Sequence, residues 1–561
     1  MQFEMAREFI KAGFKDADMC PKLQEMQGYQ NLIQSLQPTY STMVCRPACS
    51  SNDRSELMSE MICSLPCGYA CSMVNTIYSL HFDSLTRAIH PKSFIRDACE
   101  VVQLRECRPP ISTLPNGVRE SVVPQLLATM ALSTRMVKNI AGTTGKSAEE
   151  SILMWTSSIQ RWVCGMNSKE RLTLESLRTH TMLVLVYECN LVSESELWEE
   201  SGKLVRSAMI MGLHIDPEDC GNLTLFEKEQ RRKLWRTIVE IDIRSSLAAG
   251  MPTAVRASDI DMRPLKNVDD ADLKEDMKVY PADKNAQEYT SSTGQIILGY
   301  SLKERLEAVN ILGGTIDLEN DAAGILMRAK SLEQYLNLPD SIRSASISVG
   351  NSDISSSKLF TKIMLDVYIR RPSVALYRTI AFSPYAASYP AAGKAAVESS
   401  IAILSHLDAL DPTVADLNTI KDRNLLNLFQ VLCKNDIIQA ALNLCFEIRR
   451  YNIATLENKH NREEVPWTNH SLTRIVDNTL KSLIDRLGEF GSDLKEILPL
   501  SVVLQSVRSD GTMEGMRDLM VMAADRVMQA CKNILPGSIP PISVPNTLVG
   551  PIIFHSIPEK F

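Results

Sequence analysis

Apolar positions recur along this chain mostly at three- and four-residue intervals, the period of a helix face. Leu204, Ala208 and Met211 fall at i, i+4 and i+7, and Leu234, Ile238, Ile241, Ser245 and Ala248 repeat the spacing. Helix starts are marked as well. Ser193 with Glu196, and Thr224 with Glu227, fit the capping box, in which the hydroxyl accepts a free backbone N–H and the carboxylate returns to the cap. Gly212 follows the first periodic stretch and suits the left-handed residue that closes a helix. Pro217 then keeps the chain from resuming at once.

Further helical patterns run over 358–384, 392–409, 424–450, 472–490 and 511–533. Between them the pattern lapses. Residues 1–72 read as short helices broken by Pro38, Pro47 and Pro66 and by the polar stretch Ser50–Arg54. Asp259–Glu275 is acidic and irregular and reads as a surface loop, and Lys278–Gln295 is polar and contains Pro281. Ser341–Lys358 holds eight serines in 18 residues and reads as a solvated loop. The last 26 residues carry six prolines and read as extended.

There is no internal repeat and no run of period-two strands. The expected fold is all-α, a large multi-helix domain with irregular connecting loops. Its expected parts are an N-terminal helical and loop segment (1–72), a first helical half (73–275), a second helical half holding the Ser-rich loop (276–535) and a Pro-rich tail (536–561).

Composition adds limits. At 561 residues, with 45% hydrophobic and 23% charged, the chain can bury a large core and is globular in profile. Its net charge is −7, with scattered Lys and Arg, which disfavours a protein that grips nucleic acid by neutralising phosphates. No DNA-binding residue is assigned. The opening MQFEMAREFIKAGFKDADMC lacks an apolar signal core, and the longest weakly polar run, Ile437–Phe446, is far short of a membrane span. A soluble intracellular chain with reduced thiols is expected.

Candidate chemistry is mostly refused. Cys45, Cys49, Cys63, Cys67 and Cys71 fit zinc spacing only loosely, and the last three also suit the small core positions of one helix face. Gly142–Ser147 imitates a phosphate loop, but the position that should hold the first glycine is Ile140. The eight histidines form no H-E-x-x-H pair, and there is no G-x-S-x-G elbow. Carboxylate pairs such as Asp269–Asp270 read as a solvated face. No catalytic, metal-ligating or cofactor-binding residue is assigned, and the chain does not read as an enzyme.

The specific stretch runs from Leu204 to Leu273. Gly212-Leu213-His214 is followed by Asp216-Pro217, then by Phe226, Glu229, the dibasic Arg231-Arg232 and Trp235. Asp242 and Ser246 follow, then Gly250 and Pro252 in a turn, and a loop with Asp259, Asp261, Pro264, Asn267, Asp269 and Asp270. In this order they resemble the fungal-specific transcription factor domain, the middle homology region of fungal zinc-cluster regulators. Ile89-His90-Pro91-Lys92-Ser93-Phe94, after Tyr78 and Phe82, is similar to the family's opening motif. Arg371-Pro372, with Leu376-Tyr377, resembles its second helical half.

Physical expectations stand beside the resemblance. Leu213 should pack under the helix end, His214 should hydrogen-bond the last carbonyls, and Trp235 should pack on the Gly250–Pro252 turn. Arg231 and Arg232 should form a salt-bridged helix surface with the acids at 227, 229 and 240.

The resemblance implies a nuclear transcription regulator of metabolic genes, a specialised-metabolite cluster among the candidates. It would act through protein partners of the transcription machinery, through a DNA-binding factor, or as part of a longer factor whose DNA-binding segment is missing here, with a small metabolite as effector. Cys45 to Cys71 do not reproduce the family's six-cysteine basic zinc cluster. Little direct DNA contact by this chain alone, and no membrane contact, is therefore expected. The competing reading is an all-α enzyme or small-molecule carrier with an apolar pocket between helices.

Overall fold

In a computed structural model of the chain, the described residues are 25–26, 29, 51–66, 68–106, 114, 117–134, 136, 148–189, 192–337, 352–412, 423–456, 466–487, 494–508 and 513–534. Among them there is no strand, and the fold is all-α. In chain order, the first helices are α1 (Ser51–Ser64), α2 (Gly68–Ile77), α3 (Pro91–Glu106), α4 (Val122–Thr134), α5 (Ala148–Cys164) and α6 (Ser168–Arg171). Then come α7 (Leu174–Glu188), α8 (Glu194–Ile210), α9 (Leu225–Ala249), α10 (Thr293–Tyr300), α11 (Leu302–Leu312), α12 (Leu318–Glu333) and α13 (Ser352–Ala381). The last are α14 (Pro390–Leu410), α15 (Arg423–Leu432), α16 (Lys434–Leu456), α17 (Asn469–Ile484), α18 (Leu494–Arg508) and α19 (Met513–Ile534).

The chain divides into two units. The larger comprises Thr39–Gly393 and Asp408–Leu432. In it α8 packs along α9, α7 touches α4, α8 and α9, and α13 packs on α10, α11 and α12. The smaller comprises Met1–Pro38, Lys394–Leu407 and Cys433–Phe561. There α16, α17 and α18 pack on one another and α19 lies along α18. Asn443 Nδ2 donates to Ser400 Oγ at 2.8 Å within this unit, and Lys434 pairs with Glu496 at 3.0 Å.

The start signals are real. Ser193 and Glu196 form the capping box of α8, and Thr224 and Glu227 that of α9. Both helices also end in the same way. Gly212 and Gly250 have φ of +74° and +65°, Leu213 N–H reaches back to Ala208 O, and Met251 N–H reaches Ser246 O. This is the six-to-one closure that a left-handed glycine permits. Leu213 is fully buried beneath the end of α8.

Several expectations change. The polar stretch Ser50–Arg54 does not break the chain, because Ser51–Arg54 opens α1. Residues 352–358 form the first turns of α13 rather than the end of a loop; the rest of the Ser-rich stretch lies outside the described residues. The 424–450 pattern is two helices meeting at buried Cys433, and α18 was not anticipated. Ala248 is exposed, but α9 is otherwise buried nearly all round from Glu229 to Ser246, charged residues included.

Cys63 is exposed on α1 and Cys71 is buried on α2, so they share no helix face; Cys45, Cys49 and Cys67 lie outside the described residues. Cys164 is disulfide-bonded, against the expectation of reduced thiols, while the other described cysteines are free. The phosphate-loop imitation at 142–147 and the Pro-rich tail also lie outside the described residues. No helix among the described residues is long and apolar enough to cross a membrane.

Candidate functional site

Helix α9 acts as a rail for the chain that follows it. Past Gly250 the backbone turns and runs back along α9 as an irregular strap, residues 250–292, with only two short 3-10 turns at Ala257–Ile260 and Asp270–Asp272. Such a segment carries backbone N–H and C=O groups that no helix or sheet satisfies, and burying them unpaired is costly. Side chains of α9 and its neighbours supply the partners.

The pairings run in antiparallel order. Asp242 Oδ2 accepts Ala254 N–H at 2.9 Å and Val255 N–H at 3.0 Å. One step back along α9, the indole N–H of fully buried Trp235 donates to Asp259 O at 3.0 Å. Asp216, in the turn after α8, accepts Arg263 N–H on Oδ2 at 2.7 Å; its Oδ1 takes Glu218 N–H and Arg232 Nη2. Glu229 Oε1 accepts Lys266 N–H at 3.1 Å.

Arg232 holds the acids in place, reaching Asp216 and Glu218, each at 3.0 Å, and Glu229 at 3.4 Å. Burial would raise the Asp216 carboxyl, but the N–H donors of Glu218 and Arg263 and the Arg232 guanidinium hold it down at about 2.

The strap then folds on itself. Asn267 donates through Nδ2 to Lys284 O and Asn285 O and accepts Thr290 Oγ1, which ties the two limbs together. Asp269 Oδ1 accepts Ser291 N–H, and Asp270 N–H donates to Ser291 Oγ, both at 2.8 Å.

The Asp270 carboxylate enters the core. Lys233 Nζ meets Oδ1 at 2.6 Å and Arg87 Nη1 meets Oδ2 at 2.8 Å. Arg87 also donates to Ser291 O and pairs with buried Asp83 at 2.7 Å. Burial pushes against the Asp270 charge, but Arg87 and Lys233 prevail and hold it at about 2. Asp83 goes the other way: burial, opposed by Arg87 and reinforced by Asp270, pushes it up to about 7. His90 Nε2 lies 3.0 Å from Asp270 O. A carbonyl only accepts, so Nε2 carries the proton, and burial lowers the ring's proton affinity.

Two further buried cations tie α9 to its other neighbours. Arg305 of α11 grips Glu240 with two bonds of 2.7 and 2.6 Å. Arg244 pairs with Glu188 of α7 and lies 4.8 Å from the centre of the Tyr368 ring. Arg371 lies 4.9 Å from the same ring and donates to Leu432 O at 3.0 Å.

Fourteen of the sixteen singled-out residues thus lie in the strap, on its rail or in the turns that aim them. The other two, Arg371 and Pro372, sit on α13, where Arg371 shares the Tyr368 ring with Arg244 of the rail. Three expectations are corrected. The Arg231–Arg232 pair is not a salt-bridged surface: Arg232 is buried among three acids and Arg231 donates to Met211 O. That bond caps α8, so His214 does not; its ring lies against Trp235, 6.3 Å between centres. Trp235 meets Asp259 O rather than the Gly250–Pro252 turn, whose Pro252 carbonyl accepts Trp198 Nε1 and Ser246 Oγ.

The acidic stretch Asp259–Glu275 is irregular and mostly exposed or half-buried, as expected, but Val268, Asp270 and Leu273 are buried in it. Asp83, Arg87, Lys233 and Arg305 escaped the sequence reading, and Glu240, expected to pair with Arg231 and Arg232, pairs with Arg305 instead. Charged residues default to the surface, and only the nearness of Arg87 to the His90 motif hinted at a role.

Chemically this arrangement holds and orients. Its carboxylates are engaged by guanidinium, ammonium or backbone N–H groups, and no group of three or more His, Cys, Asp or Glu able to hold a metal occurs among the described residues. Residues 76–305 match the fungal specific transcription factor domain family. This segment contains the whole strap and its rail; Arg371 and Pro372 lie beyond the match.

Transcription factor opdR of Penicillium oxalicum is 27% identical over 63% of this chain and 43% of its own length. The equisetin cluster transcription factor eqxF of Fusarium heterosporum is 24% identical over 71% of this chain and 56% of its own. Transcription factor lepE of Aspergillus flavus is 22% identical over 48% and 31%. The chain therefore spans less than two thirds of each of these relatives. No solved structure matches.

Proposed function

We propose that the chain is a nuclear transcription regulator that works through its helical regulatory domain and takes its DNA specificity from a partner factor or from a DNA-binding segment outside this sequence. The supporting observation is the family match over 76–305, the segment in which the ordered motif residues fasten the strap to α9. A net charge of −7, and the absence of a basic six-cysteine cluster from the Cys45–Cys71 stretch, favour indirect rather than direct contact with DNA. Relatives named for the equisetin, fusarisetin A and pyrrolocin clusters favour specialised-metabolite genes as targets.

The test is to tether the full chain to a heterologous DNA-binding domain upstream of a reporter, and in parallel to profile transcripts after deleting its gene. Reporter output should change against the DNA-binding domain alone, and a co-located set of biosynthetic transcripts should shift on deletion. An unchanged reporter with an unchanged transcript profile would refute the reading. A fluorescent fusion excluded from the nucleus would refute the localisation.

A further inference from the structure

Asp83 is the unusual member of the ionic cluster beneath the strap. It follows the π-helical turn Tyr78–Phe82 and is completely buried. Its Oδ2 meets Arg87 Nη1, and the other N–H of that nitrogen holds Asp270 Oδ2, so two carboxylates share the charge of one guanidinium. Its Oδ1 is buried with no hydrogen-bond partner among the described residues. An acceptor left in that state is where a proton binds at least cost.

We propose that Asp83, Arg87 and Asp270 form a proton-linked latch: with Asp83 protonated, Arg87 commits to Asp270 and grips the strap, and with Asp83 ionised the grip slackens.

The surrounding charges set the direction. Arg87 on the same segment and Lys233 on α9 are the cations, and Asp270 of the strap is the opposing acid. Tyr78 on the same segment lies near Asp83, and Tyr289 of the strap faces Arg87. Lys358 of α13 lies 5.0 Å from the centre of the Tyr289 ring, and His90 stands on the far side of Asp270. Helix α4, which also packs on the π-turn, carries no titratable side chain.

Two cations thus face two acids. Proton uptake by Asp83 removes its repulsion of Asp270 and leaves the Arg87 charge to Asp270 alone, with Nη2 still on Ser291 O of the strap. Proton loss reverses this. Beneath the docked strap Asp83 holds its proton up to about pH 7, through burial and the Asp270 charge, and release of the strap removes that charge and lowers the affinity. Docking therefore takes up a proton and weakens as pH rises. Linkage gives about a tenfold loss of docking between pH 6 and pH 8.

The experiment is hydrogen–deuterium exchange on the full chain, read as protection factors for amides 263–292, so that the intrinsic pH dependence of exchange is removed. Protection should fall about tenfold from pH 6 to pH 8. Asp83→Asn, a neutral mimic of the protonated acid, should hold the pH 6 level at both pH values. If Asp83→Asn fails to fold, Asp270→Asn serves in its place. Arg87 then pairs with Asp83 alone, and the slope should vanish. Protection in the unsubstituted chain that does not change with pH, or a slope that persists in either variant, would overturn the latch.

Discussion

Replacing Arg305 with methionine tests whether the buried charges around α9 act as pairs. Arg305 and Glu240 are both almost wholly buried. The guanidinium makes two bonds to Glu240, one to Leu298 O at 2.8 Å and one to Ser301 Oγ at 2.9 Å. Methionine keeps the stem and removes every donor. Glu240 is then a buried carboxyl without its close cation, and its remaining cationic neighbours, Arg236 and Arg244, act at longer range. Removing one partner of such a pair costs about 3–5 kcal/mol. At about 2 °C per kcal/mol for a large unit, that lowers the melting temperature by about 6–10 °C. Scanning calorimetry on the full chain reads it. The diagnostic arm is the double substitution Glu240→Met with Arg305→Met. It removes both charges and should melt above the Arg305→Met single, because the isolated carboxylate is the main cost. A double variant that melts at or below the single would refute the reasoning.

Three further outcomes are expected. Burial pushes Asp242 up to about 6 from 3.8, so the folded state holds this proton more tightly than the unfolded state. Its contribution is greatest at acid pH and is lost as pH rises through about 6; relative to Asp242→Asn, stability should fall by about 2 kcal/mol from pH 4 to pH 7, and a melting difference that moves the other way would contradict the sign. Gly313→Ala should destabilise by about 1–3 kcal/mol, since the new Cβ would lie 2.5 Å from Pro252 N and 2.6 Å from Met251 C, backbone atoms that cannot step aside; a denaturation midpoint within error of the unsubstituted chain would show that the turn yields. The chain alone should prefer no DNA sequence over scrambled competitor by more than about 10³-fold at physiological salt, and a titration that exceeds this ratio would place specific readout in this polypeptide.

What the sequence showed and hid divides along physical lines. Capping boxes and closing glycines are local, so Ser193, Thr224, Gly212 and Gly250 mark the ends of α8 and α9 in the sequence itself. Periodicity located the helices but assumed a solvated face. Helix α9 lacks one over much of its length, so Glu240 was misplaced and buried Lys233 and Arg244 went unnoticed. The serines at 352–358 read as loop because serine competes for backbone bonds, yet they open α13. Asp83 and Arg305 lie outside the main motif, and only tertiary contact gives them a role.

The chemistry of the motif itself has a reason. A segment held only by apolar packing would bury the N–H groups of Val255, Arg263 and Lys266 and the carbonyl of Asp259 without partners. The residues that meet these groups are Asp242, Asp216, Glu229 and Trp235, three acceptors and one donor matched in kind to what the strap presents. Buried acids need cations, which accounts for Arg232 beside Asp216 and Glu229, and for Lys233 and Arg87 around Asp270. Each charged position thus follows from the need to carry irregular backbone through a core. The same need makes the stretch recognisable, because polar residues required at fixed offsets leave a sharper trace than interchangeable apolar ones. It also locates the adjustable part of the domain. Apolar contacts beneath the strap do not respond to protons, whereas its ionic fastenings do, and Asp83 and Asp242 have the proton affinities to act near neutrality.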